Sequence, residues 1–169
     1  MCAGIYGMLH DEITYSICPE YFTRVKFPQF NYLNLQLSPR IFVGEIGFLA
    51  AAAVGFIAIW FLARIAVPAW PKKLAIRRIT QAASLVLAAS FITGSIGCWI
   101  GMHYGSSNYG LQDFAWAMGV RDVHNFIIVT YIHYGSYLGG FGGLIASSII
   151  LLRLKTRESS NPSHSNRTG

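Results

Sequence analysis

The stretch IFVGEIGFLAAAAVGFIAIWFL, residues 41–62, contains a single charged side chain, Glu45, and is apolar around its whole circumference. A helix rises about 1.5 Å per residue, so about 20 apolar residues cross a hydrocarbon core about 30 Å thick. Residues 79–102 and 126–152 have the same character. We therefore predict an all-α membrane protein whose three-span domain covers residues 41–153, with transmembrane helices over about 41–63, 79–102 and 126–152.

The composition also favours lipid as the solvent of this chain. Of its 169 residues, 53% are hydrophobic and 12% are charged, whereas soluble domains carry about a quarter of charged residues. The net charge of +6 lies mostly in the short flanks of the spans, where basic residues have a role in orientation. We therefore predict the lipid bilayer as the main partner and no nucleic acid.

Basic residues indicate which side of the membrane each loop occupies, because short loops rich in Lys and Arg stay in the cytoplasm. They follow the first and third spans: Arg64, Lys72, Lys73, Arg77 and Arg78, then Arg153, Lys155 and Arg157. This pattern predicts a multi-pass protein of the cell membrane with a cytoplasmic C-terminus. The final residues, 154–169, are polar and lack apolar periodicity, which predicts a disordered cytoplasmic tail.

Residues 1–40 mix aromatic side chains with closely spaced polar groups: His10, Asp11, Tyr15, Pro19, Glu20, Tyr21 and Lys26. The segment is too polar to span, and Tyr and Phe favour the headgroup zone. We therefore predict an interfacial or re-entrant segment on the non-cytoplasmic face. Pro19 is expected to open a short helix, because Pro fits the first helical turn and the following acid suits a helix N-terminus.

Two motifs resemble a family of small uncharacterised bacterial integral membrane proteins. They are YGMLHDEITYSICPEYFTRVKFPQF, residues 6–30, and IHYGSYLGGFGGLI, residues 132–145. The family's block reads roughly YGxLHDxITYxISPEYFTxxKFxQF, and this chain departs from it at Glu12, usually Gln, and at Cys18, usually Ser. The resemblance covers most of residues 4–153. It implies a bacterial inner-membrane protein and no particular activity.

The resemblance also bears on the number of spans. Similar proteins carry an apolar helix just before this block, and MCAGIYGMLH, residues 1–10, is typical of the last turns of such a helix. A fourth transmembrane helix is therefore expected if the natural chain begins upstream.

Two ionisable residues lie inside the predicted spans. Glu45 and His133 fall about 6 and 10 Å below the same outer face, counted at about 1.5 Å per residue. Intramembrane charges are costly and usually face a bundle interior, where they pair. We expect the two to meet. The functional interpretation is a proton-handling or ligand-binding pair, and the structural one is a hydrogen bond that locks two helices.

Glycines of the third span recur at helical spacing. Gly135, Gly139 and Gly143 fall four apart, with Gly140 on the same flank. Small residues let two helix backbones approach closely, so this pattern predicts a packing surface within the chain or between chains. Plausible partners lie in the other spans: Gly55, Gly94, Gly97 and Gly101.

Several potential metal ligands fall on the predicted outer face: His10, Asp11, Glu12, Glu20, His103, Asp113, Asp122 and His124. Imidazoles and carboxylates are ligands of zinc, with His10, His103 and His124 the main candidates. Haem held between His103 and His133 is a further alternative. The spacing matches no familiar metal motif, so no cofactor is predicted, and a polar network is the simpler interpretation.

The sequence contains no phosphate-binding loop, no GxSxG and no nucleotide fingerprint, so it gives no support for an enzyme. We predict a non-enzymatic subunit or scaffold whose outer segment and glycine face dock a membrane-protein partner. The alternative is an oligomeric transporter or channel-like protein that uses Glu45 and His133, because three spans alone enclose little. A Cys2–Cys18 disulfide stays open as an additional feature of an outer segment.

Overall fold

The computed structural model describes residues 1–33 and 38–160, and the described backbone is helical without strands. In chain order the elements are α1 (Cys2–Ile17), α2 (Pro19–Tyr21), a π-helical turn (Phe22–Lys26), α3 (Phe27–Gln29), a 3₁₀ turn (Asn31–Leu33), α4 (Pro39–Ala66), α5 (Lys72–Tyr104), a second 3₁₀ turn (Gly105–Ser107), α6 (Tyr109–Ala117) and α7 (Val123–Ser160). By length and composition α4, α5 and α7 can each cross a membrane. The predicted all-α membrane fold with three such helices is confirmed.

The long helices extend beyond the apolar stretches that predicted them. Helix α5 begins at Lys72, where the apolar stretch begins at Ile79, and α7 continues to Ser160. Lys and Arg are good helix formers, and no Gly or Pro interrupts these basic flanks. The helices therefore extend through these basic residues beyond the apolar stretches.

The prediction of a disordered tail over 154–169 is wrong for residues 154–160, which form the last turns of α7. Tertiary contacts support these turns. The Glu158 carboxylate accepts hydrogen bonds from the Trp70 indole and, at 3.2 Å, from the Arg78 guanidinium. Residues 161–169 lie outside the described part of the chain.

Helix α1 packs along α4 in the opposite direction, so the predicted interfacial segment begins with a helix inside the bundle. Gly7 lies against the Gly47 carbonyl, and neither residue has room for a Cβ. Ala3 lies beside Gly55, at the far end of the contact. The four longest described helices, α1, α4, α5 and α7, therefore form the bundle. Of these, α1 has 16 residues and is the shortest.

Helices α5 and α7 pack just as closely, through the glycines that the sequence singled out. A Cβ added to Gly135 would collide with the Thr93 carbonyl, and one added to Gly143 would lie 3.0 Å from Val86 Cα. On the facing helix, Gly97 lies against the Tyr131 carbonyl. The glycine face of α7 is therefore occupied by α5 of the same chain.

Replacing Gly139 with alanine is expected to lower the free energy of unfolding by about 1–3 kcal/mol, the usual cost of overpacking. The added methyl would meet the Thr93 hydroxyl and the Ala89 backbone. Gly142→Ala is the matched control, because nothing lies within 4 Å of a Cβ there. Unfolding in mild detergent on titration with SDS checks both variants, and equal stability of the two would refute close packing at Gly139.

Two apolar clusters fill the ends of the bundle. The first, at what we call the basic end, joins α4, α5 and α7 through Leu62, Ala66, Trp70, Ala75, Ala82 and Leu151. The second, at the motif end, joins α2, the π-helical turn, α4, α6 and α7 through Cys18, Tyr21, Phe22, Val43, Ala115, Val120, Phe126 and Val129, with Tyr15 and Ile17 of α1 packed against it. Large apolar side chains such as Phe56, Phe91 and Phe141 stay exposed on the outside. Such a surface suits contact with lipid acyl chains.

Candidate functional site

One face of α1 turns polar side chains towards α7. His10, Asp11 and Thr14 share this face because residues three and four apart are neighbours on a helix. Asp11 is 4% exposed and Thr14 is 1% exposed. Thr14 donates its hydroxyl proton back to the His10 carbonyl at 2.9 Å, so the helix itself satisfies this donor.

The facing side of α7 carries a matching set at the same helical spacing. His133 is 1% exposed, and Ser136 and Tyr137 follow it by three and four residues. The imidazoles of His10 and His133 meet edge to face, with ring centroids 4.7 Å apart. The two helices therefore meet through imidazoles where an ordinary bundle would use leucines.

The π-helical turn supplies a fourth ionisable group. Phe22 and Lys26, its first and last residues, are both buried. π-helical turns are rare in proteins as a whole, and many of those that occur lie at functional sites. Pro19 opens the preceding helix α2, as predicted, and this turn continues from it. The turn thus carries a lysine into the interior of the bundle, next to α1 and α7.

We define the ionisable cluster as His10, Asp11, Lys26 and His133. Asp11 Oδ1 lies 3.2 Å from His10 Nδ1, and Asp11 Oδ2 lies 3.7 Å from Lys26 Nζ. Lys26 Nζ also donates to the Tyr137 hydroxyl at 3.3 Å. The cluster thus consists of a buried ion pair with two imidazoles beside it.

Hydrogen-bond partners fix the orientation of both imidazoles. His10 Nε2 lies 3.1 Å from the Ser136 hydroxyl, and His133 Nε2 lies 3.4 Å from the Thr14 hydroxyl. On its other side, His133 Nδ1 lies 3.3 Å from the Tyr137 hydroxyl. Each ring therefore has one nitrogen held by a neighbouring hydroxyl and one directed towards another polar side chain of the site.

Aromatic rings cover the cluster on the side of the motif end. Tyr21 stacks on His133 with a centroid distance of 4.8 Å and an interplanar angle of 12°. Phe22 meets the same imidazole edge to face at 6.1 Å. Burial raises the pKa of the Tyr21 hydroxyl, so this ring stays neutral. These rings limit the access of water to the cluster.

On the opposite side, a short chain of hydroxyls continues the polar network. Ser90 donates to the Ser136 carbonyl at 2.7 Å, and Tyr6 donates to the Ser90 hydroxyl at 3.5 Å. These bonds connect α1, α5 and α7 at one level. The network therefore extends from the motif end to the interior of the bundle.

The structure brings together only some of the predicted metal ligands. His10, Asp11 and His133 can each offer one ligand atom, and these atoms lie within 4.8 Å of one another. His103 is exposed and directs Nδ1 to the Trp99 carbonyl at 2.9 Å, and His124 is exposed near the start of α7. The geometry therefore supports neither a His10–His103–His124 site nor haem between His103 and His133.

Glu45 and His133 do not form the expected pair. The partners of His133 come from α1, α2, the π-helical turn and its own helix. Glu45 instead lines a groove between α1 and α4 beside Met8 and Phe48. Within the described residues its Oε2 atom is buried without a hydrogen-bond partner. The depths expected from the sequence are similar, but the two side chains point to different sides of their helices.

The other motif residues stabilise the surroundings of the site. Glu20 accepts hydrogen bonds from the backbone N–H groups of Arg121, at 3.0 Å, and Asp122, at 2.8 Å, just before α7. Tyr15 packs on Phe22, and the Arg40 guanidinium lies 5.5 Å from the centroid of the Tyr15 ring. Glu20 thus ties α2 to the start of α7.

The structure excludes a Cys2–Cys18 disulfide. Cys2 begins α1 and Cys18 follows its last residue, which separates them by about 24 Å along the helix axis. Both thiols are free. Burial also raises the pKa of Cys18, so its thiol stays protonated and unreactive.

Sequence reasoning missed the Asp11–Lys26 ion pair and the contact between α1 and α7. A signal was present, because His10 and Thr14 repeat on one face of a helix in the same way as His133 and Tyr137. Comparison of the chain with protein-family models, with curated proteins and with solved structures found no match.

Proposed function

We propose that this protein binds a cation at the ionisable cluster and conducts it across the membrane as an oligomeric transporter. The observation that supports this proposal is the buried Asp11–Lys26 pair, 3.7 Å apart, on segments that pack against a membrane-spanning helix. Ionisable groups inside a membrane bundle are expensive and generally mark ion pathways or binding sites. The proposal keeps the alternative drawn from the sequence but replaces Glu45 with Asp11, Lys26 and His10.

A purely structural role would not need these residues. Replacing a buried ion pair with apolar residues of similar volume is often neutral or stabilising. Leucines at positions 11 and 26 would pack α1 and the π-helical turn against α7 without any desolvation cost. The presence of four ionisable side chains in one contact therefore favours a chemical role.

The subunit or scaffold role has less support. It relied on the glycine face of α7 and on a free outer segment, and both of these pack inside the chain. A docking partner would have to use the lipid-exposed apolar surfaces instead. We therefore propose that contact between copies of this chain, needed for a pathway, uses those surfaces.

The distribution of basic residues supports a definite orientation in the cell membrane. Lys72, Lys73 and Arg77 lie at the basic end together with Arg153 and Arg157. By the positive-inside rule this end and the C-terminus are cytoplasmic. The ionisable cluster then lies in the outer half of the bundle, and a cation from the non-cytoplasmic side would have to pass the covering rings of Tyr21 and Phe22.

Reconstitution tests the proposal directly. Proteoliposomes that contain the protein are expected to admit at least one of Na⁺, K⁺ and Zn²⁺, followed with ion-sensitive dyes, faster than protein-free vesicles. The double variant Asp11→Asn/Lys26→Met, which removes both charges together, is expected to lower this flux at least about tenfold, since it removes the only carboxylate of the cluster.

The matched control is Glu12→Gln. Glu12 neighbours Asp11 in sequence but pairs with Arg40 at 3.1 Å outside the cluster. The cation flux of the Glu12→Gln variant is expected to equal that of the wild type. Wild-type flux no faster than that of protein-free vesicles for all three cations would refute transport.

A further inference from the structure

We infer that the cation taken by the ionisable cluster is a divalent transition-metal ion of the zinc class, held by His10, Asp11 and His133. The inference rests on the proposed function in one respect: it takes the same cluster as the cation site. It adds the chemical identity of the cation and the residues that ligate it.

The donor set points to this class of ion. Two imidazoles and one carboxylate are a recurrent zinc ligand set that leaves further coordination positions open. Ca²⁺ takes six to eight oxygen ligands, and Mg²⁺ takes octahedral oxygen and water ligands. A site with one carboxylate and two imidazoles suits neither of these ions, whereas imidazole is a good ligand of Zn²⁺, Co²⁺ and Ni²⁺.

The distances require only a small closing movement. The three ligand atoms lie within 4.8 Å of one another. Around a tetrahedral zinc ion with bonds of about 2.1 Å, neighbouring ligand atoms lie about 3.4 Å apart. Rotation of the side chains together with a small approach of α1 towards α7 covers the difference.

Both imidazoles already have the outer partners that metal-bound histidines have. His10 Nε2 meets the Ser136 hydroxyl at 3.1 Å, and His133 Nε2 meets the Thr14 hydroxyl at 3.4 Å. In metal sites the nitrogen away from the ion usually donates to such a partner, which fixes the ring orientation. The Nδ1 atoms of the two rings then ligate the ion, and His133 Nδ1 exchanges its 3.3 Å contact with the Tyr137 hydroxyl for the bond to the metal.

In the metal-free site, the Lys26 ammonium supplies the positive charge that neutralises the Asp11 carboxylate. Its ammonium lies 3.7 Å from Asp11 Oδ2 and also donates to the Tyr137 hydroxyl at 3.3 Å. A divalent ion at Asp11 repels this ammonium, which has the Tyr137 hydroxyl as its remaining contact. The lysine thus balances the carboxylate when the site is empty and withdraws when it is filled.

The test is a titration of the full chain, purified in mild detergent without a histidine tag, with Co²⁺ as the probe. Cobalt in a tetrahedral site of nitrogen and oxygen ligands gives visible absorption bands. We expect these bands to saturate at about one Co²⁺ per chain and to disappear when Zn²⁺ is added, because zinc binds such sites more tightly. A wild-type protein that develops no bands overturns the inference.

Histidine variants locate the site. His10→Ala and His133→Ala are each expected to weaken Co²⁺ binding at least about tenfold, since each removes one ligand. The control variant His103→Ala/His124→Ala removes two exposed histidines and is expected to bind as the wild type does. Loss of binding in the control alone would assign the metal to the surface and overturn the inference. X-ray absorption of the zinc-loaded wild type, which counts imidazole ligands without any variant, is expected to show two.

Failure of this inference is distinguishable from failure of the proposed function. If Co²⁺ and Zn²⁺ bind as expected but no cation crosses the proteoliposome membrane, transport is refuted and the metal site stands. If Na⁺ or K⁺ flux depends on Asp11 and neither metal binds, the metal inference is refuted and transport stands.

Discussion

Replacing Lys26 with methionine is expected to lower the free energy of unfolding by about 3–5 kcal/mol, the usual cost of removing one partner of a buried ion pair. Lys26 is 8% exposed and lies 3.7 Å from the Asp11 carboxylate, which is itself 4% exposed. Methionine fills a similar volume but leaves a buried carboxylate whose remaining partners in the cluster are the two imidazoles. Unfolding by SDS titration in mild detergent measures the loss.

Two controls separate charge from packing. Asp11→Asn/Lys26→Met removes both charges and is expected to recover most of the stability, because no unpaired charge is left. Excess Zn²⁺ is expected to stabilise the single Lys26→Met variant more than the wild type, since the ion then has no ammonium to displace. A single variant as stable as the wild type would show that the pair is not buried as described.

Replacing Phe22 with alanine is expected to cost about 3–5 kcal/mol of unfolding free energy, as for large-to-small substitutions of buried aromatic residues. Phe22 is 0% exposed and forms edge-to-face contacts with Tyr15 and Tyr21. It anchors the π-helical turn that carries Lys26. The variant therefore loses packing and also loosens one member of the ionisable cluster.

The control for this prediction is Phe22→Leu, which keeps an apolar side chain and is expected to cost much less. Maleimide labelling of Cys18 gives a second measurement. This thiol is 1% exposed in the same apolar cluster as Phe22, so it should react faster in the alanine variant and slowly in the leucine variant. Equal labelling in both variants would contradict the assigned position of Phe22.

The three spans were predictable because the hydropathy of a stretch such as residues 41–62 is a local property of the sequence. The ends of the helices were less predictable, since the basic residues from Lys72 onward and from Arg153 onward continue a helix as well as apolar residues do. Helix α1 was the main difference. His10, Asp11 and Glu12 make it look too polar for a membrane bundle, and they are tolerated because His10 and Asp11 face α7 and Glu12 pairs with Arg40.

The composition of the site was only half predictable. An intramembrane histidine stands out in any apolar stretch, and so His133 was identified. Its partner was not, because counting residues gives depth along a helix but no angular position relative to another helix. Glu45 lies at a similar expected depth but faces the groove between α1 and α4. Lys26 reaches the site from a π-helical turn, which no sequence pattern predicts.

Glycine contacts, with backbone lying directly on backbone, hold α1 to α4 and α5 to α7 along their lengths. Each helix pair also has an ion pair, Glu12–Arg40 and Arg78–Glu158 respectively. The contact between these two pairs near the motif end is of another kind, because it includes a carboxylate, an ammonium and two imidazoles. Dispersion between the packed backbones does not depend on the ions in the surrounding solution, and the two ion pairs are partly exposed and contribute little. We therefore expect the internal geometry of each pair to be constant across ionic conditions, and the spacing between the pairs to respond to them.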